Sequence, residues 1–109
     1  MIAGFSDMEE TAIDNFKGGK GTIFARMYND ERNRVLIARL PPGTSIGMHT
    51  HAGSQETVFV IEGDGTVICD GKIGKISKDM VHICPDGSSH SIENNGESDL
   101  ILLGSIVQF

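Results

Sequence analysis

The apolar residues of this chain fall in short runs, and glycine or an Asn/Asp turn signal closes nearly every one. Val35 to Leu40, Thr57 to Ile61, Thr66 to Cys69, Val81 to Cys84 and Leu100 to Val107 are the clearest, with a further apolar position at Ile23. Runs of this length fit strands, and no long stretch carries helical periodicity. Asp70-Gly71 between Cys69 and Lys72 reads as a two-residue hairpin. Gly63-Asp64-Gly65 and Asn94-Asn95-Gly96 mark two more reversals. Strands at this regular spacing predict an all-β sandwich or barrel. One short helix is expected near the start, where Ser6 and Glu9 fit a capping box and Asp7, Glu9 and Glu10 favour a helix N-terminus.

With 109 residues, of which 39% are hydrophobic, with 5 Phe and no Trp, the chain can fill one core but not two. The expectation is a single domain over residues 1–109. No stretch approaches the roughly 20 apolar residues of a membrane span. The segment Met1 to Glu10 lacks a basic region followed by an apolar run, so no signal peptide is expected and the cytoplasm is the expected compartment. Cys69 and Cys84 lack metal-finger or CxxC spacing and read as free, half-buried thiols. The net charge is −6, Lys and Arg are scattered, and Tyr28 is the only Tyr. Without a basic stripe and stacking aromatics, nucleic-acid binding is not expected.

Three of the four His fall into one pattern with a glutamate. His49 and His51 are two residues apart, so in an extended segment they point the same way. Glu56 follows a short connection, Ala52 to Gln55, and the next strand can return its carboxylate to the two imidazoles. Val58 and Val60 share its face, while Thr57, Phe59 and Ile61 occupy the other. Both faces are largely apolar, so this strand is expected to be covered on both sides, by the interior and by a second sheet or subunit. His90 is expected from a separate hairpin, after the strand end at Pro85 and a turn at Asp86-Gly87, and shares a face with Ile92 and Asn94. Each residue alone reads more simply as a surface or hydrogen-bonded group. Together, three imidazoles and one carboxylate suit a borderline transition metal, not calcium or magnesium. His82 shares a face with Met80 and Cys84. A packed or surface role is its simpler reading, and an acid or base near neutral pH its functional one. Arg26, Tyr28 and Arg39 could each meet an anionic substrate, but solvated faces explain them more simply.

These residues resemble the cupin family. Its first motif, Gly-x5-His-x-His-x3-4-Glu-x6-Gly, is filled by Gly43, His49, His51, Glu56 and Gly63. Its second, Gly-x5-Pro-x-Gly-x2-His-x3-Asn, is filled by Pro85, Gly87, His90 and Asn94. Asp79 replaces the leading Gly and can still serve a turn. The motifs cover residues 43–63 and 79–94. The resemblance implies a double-stranded β-helix, or jelly-roll barrel. It implies His49, His51, Glu56 and His90 as ligands of one divalent ion (Fe, Mn, Ni, Zn or Cu), and a homodimer. Four protein ligands around a six-coordinate ion would leave two positions for a small-molecule substrate. The implied activity is a metal-dependent oxidoreductase, decarboxylase, isomerase or other lyase on a small oxygenated metabolite. The alternative is a metal-bound binding or sensing protein without turnover. A storage role ranks last, because the chain is too short for the two-barrel form.

Overall fold

The computed structural model describes residues 1–109. Ten strands follow in order: β1 (Thr11–Asp14), β2 (Thr22–Asn29), β3 (Asn33–Leu40), β4 (Ser45–Thr50), β5 (Ser54–Glu62), β6 (Asp64–Cys69), β7 (Lys72–Ser77), β8 (Val81–Cys84), β9 (Ser89–Glu93) and β10 (Leu100–Gln108). They form two sheets, with orders β1-β2-β3-β10-β5-β8 and β4-β9-β6-β7. Every pairing is antiparallel. The sheets face each other over a core that includes Ile23, Leu40, Val58, Ile92 and Leu100. This is the all-β sandwich that the strand runs predict, in the double-sheet jelly-roll form that the resemblance implies. No helix is long and apolar enough to cross a membrane.

Turn chemistry fixes the strand ends. Asp70 and Gly71 take φ of 48° and 79°, joining β6 to β7 as the expected tight hairpin. Asp79 adopts φ of 73°, so it supplies the left-handed turn that glycine would give at that motif position. Cys84 is buried, Cys69 is half-buried, and both are free thiols.

Three expectations need correction. The N-terminal helix is only a 3-10 turn, Phe5–Asp7, and its cap residue Gly4 makes no side-chain capping bond. Met8 is already extended there, and its carbonyl accepts a hydrogen bond from the Arg26 guanidinium at 2.5 Å. Tertiary anchoring of an extended chain outweighs the local capping signal. Second, β8 and β9 do not form a hairpin. β8 pairs with β5 in one sheet, and β9 with β4 and β6 in the other. The Pro85–Ser88 connection is therefore an arch from sheet to sheet. Third, no second sheet covers the outer face of β5 within the chain. Val58 and Val60 are 2% and 3% exposed, whereas Phe59 and Ile61 are 44% and 43% exposed. Its outer face belongs to the outside of the larger sheet.

Candidate metal centre

Two sheet-crossing arches meet at one end of the sandwich, and hydrogen bonds lock them together. The β4–β5 arch contains His51. Its amide donates to Ser88 O at 3.0 Å, and its carbonyl accepts from the Gly87 amide at 2.6 Å. The Gly53 amide donates to the Asp86 carboxylate at 2.7 Å. These bonds, two of them backbone to backbone, tie the first motif to the second. They account for Asp86-Gly87 as a turn aimed at His51.

A β-bulge turns His49 inward. Ile46 pairs with Ile92, but His49 pairs with His90, so three steps on β4 match two on β9. Without the extra residue, His49 would face away from the buried Ile46. The bulge spans Gly47 and Met48. A side chain at Gly47 would run into the Lys17 carbonyl, so glycine permits the turn Phe16–Gly18 to lie against β4. On the far wall, Glu56 stands beside Gly104 of β10, where an added Cβ would lie 3.0 Å from Glu56 Oε2.

The result is one cluster of four donor atoms, all within 4.8 Å of one another, from His49, His51, Glu56 and His90. His90 Nε2 lies 3.1 Å from His51 Nε2, 3.2 Å from His49 Nε2 and 3.0 Å from Glu56 Oε1. His51 Nε2 lies 3.2 Å from the same carboxylate oxygen. Neighbouring ligands of one ion with bonds of about 2.1 Å sit about 3 Å apart, so the spacing fits a shared transition-metal ion.

At His49 the far side of the ring says which nitrogen has a free lone pair. His49 Nδ1 lies 2.7 Å from Gly47 O. A carbonyl only accepts, so Nδ1 carries the proton in the neutral ring and Nε2 presents a lone pair. His51 Nδ1 lies 3.1 Å from Ser54 Oγ. His90 Nδ1 lies 2.9 Å from His82 Nε2. All three imidazoles thus have a hydrogen-bond partner behind and an Nε2 in front, the arrangement metal-binding His usually shows.

Electrostatics keep the cluster ready for a cation. Burial pushes His49 and His51 below the ordinary imidazole range, against the Gly47 carbonyl at His49 and the Glu56 carboxylate at His51. Burial alone would raise the Glu56 carboxyl. The close approach of His90 and the positive charge that the imidazoles bring when protonated outweigh it and hold the carboxyl below its usual value. Neutral imidazoles and an ionised carboxylate are the protonation states that ligate metal. Cys84 behaves oppositely: burial, reinforced by Cys69, pushes its thiol up to about 12, so it is no thiolate donor.

A cavity of about 260 Å³ opens from the cluster into the barrel mouth. Leu36, Ile46, Ile92 and Ile106 supply apolar wall, and Lys17 and Arg34 add two cations. The sequence pattern does not single out either cation. Arg34 opposes Ile106, which opposes Glu56, so it shares the inner row two strands away. Lys17 arrives through the Gly47 contact, and its charge reaches His51. The residues considered from sequence as partners for an anion lie elsewhere. Arg39 stands near Glu10 and Asp99 at 3.5 and 3.8 Å, Arg26 holds Met8 O, and Tyr28 donates to Asp30 at 3.0 Å. His82 does not line the cavity, so the structure does not place it as an acid or base facing substrate. Asn94, the last position of the second motif, is 1% exposed and donates to Leu40 O and Ser98 O at 2.7 and 2.9 Å. It braces the β9–β10 connection.

Residues 36–106 match the Cupin domain family. An oxalate-binding protein of Thermotoga maritima is 37% identical over 113 residues, spanning 98% of this chain and 93% of that protein. The crystal structure of a predicted oxalate decarboxylase from Thermotoga maritima superposes with a TM-score of 0.93 and 31% identity, covering 100% of both chains. An RmlC-like cupin from Shewanella frigidimarina shares the fold, with a TM-score of 0.82 and 16% identity over 99% of this chain and 90% of that one. The double-sheet jelly roll and the four converging donors thus agree with the family match: this chain is a cupin.

Proposed function

We propose that His49, His51, Glu56 and His90 hold one divalent transition-metal ion, and that the ion with its cavity binds a small carboxylate ligand of oxalate type. The carrying observation is the donor cluster itself, with its four distances of 3.0–3.2 Å. The ion, when bound, would act as a Lewis acid towards oxygen atoms of the ligand. This chain's residues supply the rest. One carboxylate against a divalent ion leaves the centre positive, and Lys17 and Arg34 at the cavity add further positive charge. Apolar walls exclude water and strengthen both attractions. The oxalate-binding relative supports the choice of ligand class.

Turnover is the further reading: a metal-dependent oxidoreductase, lyase or isomerase on the same class of molecule. Decarboxylation needs a proton donor near the carbon that loses CO₂. Glu56 is the only carboxylate at the cavity and belongs to the cluster, which leaves Lys17 as the proton carrier in reach. That composition favours binding over decarboxylation. Calorimetry of oxalate against protein loaded with Mn²⁺, beside metal-free protein, tests the proposal. Metal-dependent binding is the expected result, and binding that ignores the metal would overturn it. Carbon-13 NMR of the same mixtures separates the readings, because formate or CO₂ would establish turnover.

We also propose a homodimer through the outer face of the larger sheet. Phe59 pairs with Val81 and Thr57 with Ile83 there, and Phe59, Val81 and Ile83 are 44%, 52% and 52% exposed. Leu103 and Ile37 continue the Phe59 row across β10 and β3. A contiguous apolar face of this kind suits a second copy. The expected compartment remains the cytoplasm, where Cys69 and Cys84 stay reduced.

A further inference from the structure

His82 is the one histidine outside the motifs, and it meets the cluster from behind. It sits on the edge strand β8, opposite Val58, away from the cavity. Its Nε2 lies 2.9 Å from His90 Nδ1, with ring centroids 5.2 Å apart and planes tilted by 36°. The two other rings are held from behind by groups of their own arch or strand, Gly47 O for His49 and Ser54 Oγ for His51. His90, on β9 of the smaller sheet, instead depends on a side chain of β8 in the larger one. It is also the hub of the cluster, with three donor atoms of other residues within 3.2 Å of its Nε2 and no exposed surface.

We propose that His82 is a positioning residue for the metal centre: it accepts the Nδ1 proton of His90, fixes that ring's tautomer and rotation, and so sets how tightly the centre holds its ion. The inference rests on the metal-centre reading above. If His90 carried its proton on Nε2 instead, that proton would point at the other donors and block the ion. The hydrogen bond to His82 stabilises the one tautomer that leaves Nε2 bare. A neutral imidazole in this role, where many metal sites use a carboxylate, also adds no negative charge. The centre then keeps the net positive charge that an anionic ligand requires.

The test compares wild type with His82→Phe and His82→Gln. Phenylalanine keeps a ring of similar shape without an acceptor, and glutamine restores an acceptor oxygen. Co²⁺ affinity is measured by competition with a chromophoric chelator, and the Co²⁺ absorption spectrum reports the ligand geometry. His82→Phe is expected to bind Co²⁺ roughly 10–100-fold more weakly than wild type, with a changed spectrum. His82→Gln should recover much of the loss. Equal affinity in wild type and His82→Phe, or no recovery in His82→Gln, overturns the role of His82 and leaves the metal centre standing. Wild type that takes up no Co²⁺ overturns the metal centre itself. A second readout needs no metal. Nitrogen-15 NMR of the wild-type histidines at about pH 8, above the usual imidazole range, should show His90 protonated at Nδ1. A mixed or Nε2-protonated His90 overturns the proposal.

Discussion

The two faces of β5 are almost equally apolar in sequence and opposite in fate. Inward, Val58 and Val60 are sealed in the core and Glu56 reaches the donor cluster at 8% exposure. Outward, Phe59 and Ile61 stay 44% and 43% exposed. Alternation tells which residues share a face, but not what covers it. Inside, the smaller sheet provides the cover, and its cost in buried polar atoms is met by the donors' mutual arrangement. Outside, only another molecule can provide it.

Breaking the inner face should produce the largest effects. His51→Ala should lose metal occupancy at equimolar ion while the barrel stays folded, because the arch bonds of residue 51 to Gly87 and Ser88 are made by its backbone. Elemental analysis and circular dichroism check this, and full occupancy in the variant would remove His51 from the ligand set. Leu102→Ala, on the inner face of β10 at 3% exposure, should cost about 2–5 kcal/mol of unfolding free energy. Urea denaturation measures it.

The outer face should respond differently. Phe59→Glu should leave the fold intact but halve the mass seen by light scattering after size exclusion, if Phe59 faces a second copy. An unchanged mass would sink that interface. Phe59→Ala, measured where the protein is monomeric, should cost about 1 kcal/mol or less, since a half-exposed ring leaves no closed cavity. A cost of about 3–5 kcal/mol would mean that Phe59 is covered within a single chain.

The smallest effect concerns pH and sharpens the contrast, because every group involved lies inside. Burial lowers His49, His51 and His82 below the ordinary imidazole value of 6.5. Below that pH the unfolded chain binds protons that the folded chain refuses, so stability falls as pH falls. Glu56 acts in the same direction at lower pH: its carboxyl, held below 4.5, contributes stability that is lost as pH drops through its folded value. Metal-free protein should therefore show a declining urea midpoint from about pH 8 to about pH 5. A midpoint that rises towards acid would contradict the assigned protonation states.

Much of the site was legible because it depends on residue type and short spacing. His49 and His51 at i and i+2, Glu56 opening the next strand and His90 after a Pro-x-Gly turn survive any detail of packing. The bulge at Gly47-Met48 did not show in that pattern. Strict alternation would place Ile46 and His49 on opposite faces, and only the register against β9 reveals the extra residue. Lys17 and Arg34 escaped notice because neither belongs to a motif. One is delivered by a close backbone contact at Gly47 and the other by a row across three strands. His82 shared a face with Met80 and Cys84 in the sequence, which was the available clue. Its partner, His90, lies in the other sheet.

The sequence by itself determined the strand content, the tight turn at Asp70-Gly71, the side-chain sets that share a face and the four donors. These follow from local backbone preference and the two-residue period of a strand, which need no knowledge of distant contacts. Tertiary structure decided that β8 and β9 belong to different sheets, that the N-terminal capping signal yields only a 3-10 turn, and that β5 has one open face. It also placed His82 behind His90 and set two cations at the cavity. Each of those depends on which strands pair across long stretches of chain, and pairing energy resides in the assembled sheets, beyond any short window of residues.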